Sequence, residues 1–188
     1  IGGGFGVWYT DEDRKIPPEG YAEYLEALIQ TVKDKAKEYD MDLPYLLLEP
    51  GRSIVGEAGI TLYTVGAIKD IPNVKKYIAV DGGMFDNPRY ALYQSKYTPV
   101  LANRANEEET ELVTIAGKCC ESGDIIQENV SLPNDLRRGD LIACLTTGAY
   151  HYSMASNYNR IPRPPVVMLN GTESYIAVKR ETPEDVAS

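Results

Sequence analysis

Along the N-terminal part of the chain, Tyr21, Tyr24, Leu25, Leu28, Ile29, Val32 and Ala36 recur at helical spacing and predict one amphipathic helix. Pro17-Pro18 stands just ahead of it, where proline suits a first helical turn. The run Tyr45-Leu46-Leu47-Leu48 is short and wholly apolar, the pattern of a strand buried on both faces of a parallel sheet. Ile1, followed at once by Gly2-Gly3-Gly4-Phe5-Gly6, reads as the end of a second such strand running into a glycine loop. Residues 1–53 therefore look like a piece of a βα repeat, which needs sheet partners to close. From Gly59 the texture changes. β-Branched and aromatic runs at 60–65, 77–80, 97–101, 111–115, 141–145, 166–169 and 175–178 alternate with turn signals such as Asp81-Gly82-Gly83 and Asn170-Gly171. That spacing predicts a β-sandwich or barrel over residues 54–188. Asn87-Pro88 predicts a short helical turn with Arg89 and Tyr93, four apart, on one face. Glu107-Glu108-Glu109 fits a solvated turn. The expected fold class is mainly β with an α/β remnant.

Composition narrows the function. Of 188 residues, 19 are Lys or Arg and 28 are Asp or Glu, a net charge of −9. With no basic stretch to offset it, this balance argues against nucleic acid or an anionic membrane as a partner. No apolar run reaches the length of a membrane span. Cys119, Cys120 and Cys144 are odd in number and two are adjacent, a poor disulfide framework, so a reducing, cytoplasmic setting is expected. The single histidine, His151, and the vicinal cysteines do not supply zinc-ligand spacing, and no metal is expected.

Four segments can carry chemistry. The glycine loop fails the dinucleotide pattern, because Val7 stands where the last glycine belongs, but its bare backbone N–H groups suit a phosphate. Glu49-Pro50-Gly51-Arg52 closes the second apolar run, where α/β barrels place functional groups. Cys119-Cys120-Glu121-Ser122-Gly123-Asp124 sets a thiol beside acids in a turn. Gly148-Ala149-Tyr150 precedes the Tyr- and Asn-rich Asn157-Tyr158-Asn159-Arg160.

Taken in order, Gly2-Gly3-Gly4, Glu49-Pro50-Gly51-Arg52, Asp81-Gly82-Gly83, Asn87-Pro88-Arg89 with Tyr93, Cys120-Glu121-Ser122-Gly123-Asp124 and Gly148-Ala149-Tyr150 make one set. With it the chain resembles the diaminopimelate decarboxylases, pyridoxal-phosphate enzymes of the alanine-racemase-like fold. The likeness spans nearly the whole chain, and the Cys-Glu-Ser-Gly-Asp stretch is its most specific part. Ornithine decarboxylases are similar at the glycine loop and Glu-Pro-Gly-Arg but carry Cys-Asp at the thiol motif. Ornithine, arginine or carboxynorspermidine are therefore the alternative substrates, and a non-catalytic decarboxylase-like binding module is the alternative class.

The resemblance implies that residues 1–53 end a TIM-like (β/α)8 barrel and that 54–188 form the β domain. It also implies a cofactor lysine in an Ala-x-Lys-Ala-like strand. No segment here fits that motif, so the chain looks like the C-terminal portion of the enzyme and is expected to be inactive alone. By the same resemblance Gly2, Gly3, Gly4, Pro50, Gly51, Arg52 and Tyr150 would hold pyridoxal 5′-phosphate, with Glu49 keeping its ring nitrogen protonated. Cys120 would return a proton to the α-carbon, a thiol of ordinary pKa ~8.5 being suited to that task. Arg89 and Arg52 would meet the distal carboxylate of diaminopimelate, with Tyr93 adding a hydrogen bond, and Glu121 its ammonium; Tyr150 would also touch the substrate. Cys120 and Glu121 would serve the neighbouring subunit of a homodimer.

Overall fold

The computed structural model describes residues 1–13 and 20–188. Pro17-Pro18, expected to start the helix, lies outside the described residues. Helix α1 (Ala22–Glu38) follows. Its inward stripe is narrower than the sequence suggests: Tyr21, Leu25, Leu28 and Val32 are half-buried and Ala36 is buried, while Tyr24 and Ile29 face solvent. Tyr21 ties this stripe to the glycine loop, its hydroxyl donating to the Gly6 carbonyl at 2.8 Å and its ring lying 5.0 Å from Phe5.

The run Tyr45-Leu46-Leu47-Leu48 forms no strand, and Tyr45 is fully exposed with Leu47 77 % exposed. One parallel bridge, Gly2 to Glu49, is the only ladder contact this segment makes among the described residues. An apolar run needs neighbours on both edges and both faces to become a buried strand, and among the described residues this one has none until Glu49, just past its end. The short helix α2 (Arg52–Val55) then carries the chain towards the sheet.

Six strands make the main sheet: β1 (Thr61–Ile71), β2 (Lys75–Val80), β3 (Pro99–Leu101), β4 (Glu111–Ala116), β5 (Ile125–Leu132) and β6 (Leu141–Cys144). Their spatial order is β3-β6-β1-β2-β4-β5, with β2 and β4 parallel and the other pairs antiparallel. The sheet curls until its two edge strands nearly meet. Gln127 of β5 bridges the seam, accepting from the Tyr97 N–H at 2.7 Å and donating to the Tyr97 carbonyl at 3.0 Å. This nearly closed, barrel-like sheet is the mainly β architecture expected of the sequence. Its core holds Tyr63, Val65, Ile78, Val80, Val113, Ile115, Ile126, Leu132, Ile142 and Cys144. Helix α3 (Arg89–Tyr93) lies between β2 and β3.

Strands β7 (Val166–Asn170) and β8 (Glu173–Val178) form a separate hairpin. Gly171, at φ +60°, opens its two-residue turn, as a II′ turn requires. Leu169, Tyr175 and Ile176 of the hairpin are exposed. Helix α4 (Pro183–Ala187) ends the chain on a Thr182/Asp185 capping box. No helix among the described residues is long and apolar enough to cross a membrane.

Candidate active site

Three of the sequence-nominated segments meet because glycine lets backbone approach backbone. A Cβ on Gly3 would collide with the Glu49 carbonyl and stand 2.8 Å from Pro50 Cα, so the glycine loop lies directly on Glu49-Pro50. A Cβ on Gly51 would stand 2.5 Å from the Tyr150 hydroxyl, which therefore hangs over the Gly51-Arg52 backbone. The Gly148 backbone presses on Val55, donating to the Gly56 carbonyl at 2.9 Å, while the Thr147 N–H donates to the Gly59 carbonyl at 2.8 Å. Tyr150 itself sits at φ +55°, an uncommon conformation for a tyrosine, held by this docking.

Arginines line the next part. Arg89 is 6 % exposed, and its Nη1 donates to the Tyr97 hydroxyl at 3.1 Å. Burial pushes the Tyr97 phenol up to about 12, so it stays neutral as an acceptor. The Arg89 guanidinium lies 4.6 Å from the Tyr9 ring and 5.1 Å from the Tyr97 ring. The Arg52 guanidinium lies 5.3 Å from the Tyr150 ring and 5.9 Å from Tyr9. Among the described residues neither arginine has a carboxylate within 4 Å. Both line one cavity of about 360 Å³, with Tyr9, Glu12, Asp13, Gln94 and Lys96 on its walls, Glu12 paired with Lys96 at 3.5 Å. Tyr93, expected to share a face with Arg89, is 63 % exposed, and no hydrogen bond or ring contact joins it to Arg89 among the described residues.

Behind Arg89 is a buried polar group that sequence reasoning missed. Tyr63 donates to Asp86 Oδ2 at 2.7 Å, and the Gly83 N–H donates to Asp86 Oδ1 at 2.8 Å. His151 Nε2 lies 3.5 Å from the Tyr63 hydroxyl and 3.4 Å from Thr61 Oγ1. Burial raises the Asp86 carboxyl to about 6 and lowers the His151 imidazole to about 4, the latter helped by the charge of Arg89. No sequence signal distinguishes His151; Asp86 and Asn87, next to Pro88, are the one hint.

The thiol segment stands apart. Asp124 is buried beneath it, accepting from the N–H groups of Met84 and Cys119 at 2.6 Å each, in space that Gly83 and Gly117 leave free. The Cys120 N–H donates to Asn159 Oδ1 at 2.7 Å, and the Tyr158 hydroxyl donates to Glu121 Oε2 at 3.4 Å. The Tyr- and Asn-rich loop is thus a prop for the thiol turn. Cys120 and Glu121 face solvent. The Gly123 N–H, then the Ser122 hydroxyl, hold the Glu121 carboxyl below its usual range. Burial and the nearby Asp124 push the Cys119 thiol up to about 11. Among the described residues no hydrogen bond or ion pair links this turn to the arginine cavity. Nor do three or more His, Cys, Asp or Glu side chains there gather as a metal site.

This arrangement can hold an anion against glycine backbone, a tyrosine hydroxyl and two guanidiniums with no carboxylate within 4 Å among the described residues, and can present a thiol outward. The chain as a whole resembles known proteins. The chain is 54 % identical over 186 residues to diaminopimelate decarboxylase of Bacillus subtilis, covering 99 % of this chain and 42 % of that protein. It is 48 % identical to that of Halalkalibacterium halodurans, again covering 99 % of this chain and 42 % of the relative. The crystal structure of diaminopimelate decarboxylase from M. jannaschii in co-complex with L-lysine superposes with a TM-score of 0.87 at 35 % identity, over all of this chain and 41 % of that one. The chain thus spans about 42 % of the length of the curated relatives it matches. Residues 10–148 match the family model for the C-terminal sheet domain of pyridoxal-dependent decarboxylases, and the chain belongs to that family.

Proposed function

We propose that this chain is the C-terminal portion of a diaminopimelate decarboxylase, which converts meso-2,6-diaminopimelate to L-lysine and carbon dioxide. The observation that carries the reading is the pair Arg52 and Arg89, two guanidiniums without a carboxylate partner on one cavity beside the Gly51–Tyr150 cradle. A substrate with a second ammonium–carboxylate centre calls for such a pair, because the planar arginine fork grips a carboxylate bidentately. The names of the relatives support the same substrate.

Residues 1–53 act in this reading as the end of a (β/α)8 barrel, and 54–188 as the β domain. The Gly2–Glu49 parallel bridge and the bare apolar face of Tyr45 and Leu47 are what two barrel strands without their neighbours look like. Pyridoxal 5′-phosphate, when bound, supplies a ring that takes up the negative charge left by carbon dioxide loss. The cradle fits its phosphate: backbone N–H groups at Gly2, Gly3, Gly4, Gly51 and Arg52 and the Tyr150 hydroxyl would be the donors, and a Cβ on Gly51 would run into that hydroxyl. Pro50 fixes the turn between them, and Glu49 is the acid for the ring nitrogen. Arg89, with Arg52 and Tyr93, holds the distal carboxylate. The ionised Glu121 takes the distal ammonium, and Cys120 delivers a proton to the α-carbon. Their outward placement suits service to a second copy of the chain in a homodimer. The free thiols Cys119, Cys120 and Cys144 suit a cytoplasmic setting.

The test is carbon dioxide release by the full-length protein with pyridoxal phosphate, offered meso-diaminopimelate, ornithine, arginine or carboxynorspermidine. Release from diaminopimelate with one lysine formed per carbon dioxide is expected. Preference for another substrate, or none for any, would sink the reading.

A further inference from the structure

We propose that Tyr9 is a positioning residue for carboxylate binding, its ring the shared platform on which Arg52 and Arg89 are held towards one cavity. The inference deepens the reading of the two arginines as a carboxylate site and rests on it. Five side chains alternate ring and cation: Tyr97, Arg89, Tyr9, Arg52, Tyr150, with guanidinium-to-ring distances of 5.1, 4.6, 5.9 and 5.3 Å along the row. Tyr9 is the one member that touches both cations. Two like charges beside one cavity repel each other; Glu12, paired with Lys96, and Asp13, held by the Tyr9 and Thr10 N–H groups, offset part of that repulsion from the same walls, while the ring faces lie directly against the guanidiniums. A carboxylate in the place of the rings would act through direct charge, but it would also compete with an incoming anion. An aromatic face stabilises the guanidiniums and leaves their N–H edges free.

The ring is itself well anchored. Its backbone carbonyl accepts from Thr98 Oγ1 at 2.7 Å, and its N–H donates to Asp13 Oδ2 at 3.1 Å. Tyr97 meets it edge-on at 5.6 Å. The Tyr9 hydroxyl is buried without a hydrogen-bond partner among the described residues. The hydroxyl still lies close enough to Arg89 to favour its charged form, so Tyr9→Phe separates the contribution of the ring face from that of the hydroxyl.

The experiment compares the full-length holoenzyme with Tyr9→Phe, Tyr9→Leu and pentafluorophenylalanine at position 9. Steady-state kinetics use meso-diaminopimelate, and cofactor loading is read from absorbance. Tyr9→Leu should raise KM about tenfold while kcat falls far less, and Tyr9→Phe should recover most of that loss. Pentafluorophenylalanine keeps the ring's shape but reverses its electrostatic face, so it should behave like leucine. A residue that only packs would show no difference between phenylalanine and its fluorinated form. Equal KM for those two overturns the proposal, and that pair decides alone if Tyr9→Leu does not fold. If the wild type releases no carbon dioxide from any amino acid, the functional reading fails on its own. Calorimetry with glutarate on the same proteins then decides the platform. Binding by wild type and Tyr9→Phe that the fluorinated variant loses supports it; equal binding by all, or none by wild type, overturns it.

Discussion

The arginine cavity and the thiol turn are built in opposite ways. Around the cavity, backbone lies on backbone through Gly3, Gly51 and Gly148, and Arg89 is buried among rings. At the thiol turn Cys120 and Glu121 stand in solvent; the backbone beneath them is fixed by Asp124 below and Asn159 beside, and the Glu121 carboxylate by the Gly123 N–H and the Ser122 hydroxyl. The first region gathers its arginines and tyrosines on one cavity within one chain. The second is organised to aim two side chains away from it. A group that binds must exclude water and fix every donor, whereas a group that delivers one proton needs only its Cα path fixed. The contrast matches the proposed division between binding and proton delivery, and three measurements can break it.

The largest effect is expected at Cys120. If it delivers the proton to the α-carbon, Cys120→Ala in the full-length enzyme should lower correct turnover by about 10²–10⁴-fold, the usual worth of a positioned general acid. Carbon dioxide loss should suffer less than lysine formation, so the lysine-to-carbon-dioxide ratio should fall below one. Cys119 is the internal control: its backbone N–H serves Asp124, its thiol is held neutral, and alanine keeps the N–H. Cys119→Ala should be nearly silent. A ratio of one at wild-type rate in Cys120→Ala removes this thiol from the mechanism.

Arg89→Ala comes next. A buried, charge-assisted pair is worth about 2–4 kcal/mol, or about 30- to 1,000-fold in KM for diaminopimelate. Cofactor affinity should change little. Tyr93→Phe should cost no more than a few-fold, because Tyr93 is largely exposed where Arg89 is buried. Equal losses from the two variants would mean that they act together, as their four-residue spacing suggests, and would blur the line drawn here.

Much of this was readable from the residues. Strands β1, β2, β3, β4, β6, β7 and β8 overlap their apolar runs, and α1 follows its 3.6-residue stripe. β5 escaped because its pattern is mixed: Gln127 occupies a buried position to bridge Tyr97, and Asn129 sits at φ +55° within the strand. No alternation survives such a kink. The run at 45–48 misled for the converse reason, since apolarity states what a strand would bury and not whether neighbours exist. At the site, motif spacing nominated the glycine loop, Glu49-Pro50-Gly51-Arg52, Tyr150 and Cys120. It could not nominate Tyr9 or His151, whose partners are remote in sequence: Tyr9 with Arg89, His151 with Tyr63.

The smallest net effect is expected where two opposite ones meet, behind the arginine cavity. Asp86 titrates at about 6 in the fold against 3.8 when unfolded, so the folded state binds more protons between those values. Its contribution therefore falls as pH rises from about 4 to 6, by about 3 kcal/mol. His151 titrates at about 4 in the fold against 6.5 unfolded, so there the unfolded state binds more protons. Its contribution rises from about pH 4 to 6.5, again by about 3 kcal/mol. The two slopes oppose each other over nearly the same window, and the wild-type sheet should change stability by no more than about 1 kcal/mol across it. Single variants uncover each half. His151→Gln should leave the sheet more stable near pH 4 than near pH 6.5, and Asp86→Asn should make it less stable in acid. Hydrogen exchange at the Tyr63, Ile78 and Ile115 amides, all in the closed sheet, reads the difference once intrinsic exchange rates are corrected for pH. Parallel slopes in the two variants would show that Asp86 and His151 are not the compensating pair. Glu121 provides the contrast: exposed on the thiol turn, its neutral variant Glu121→Gln should leave these slopes where they are in the wild type.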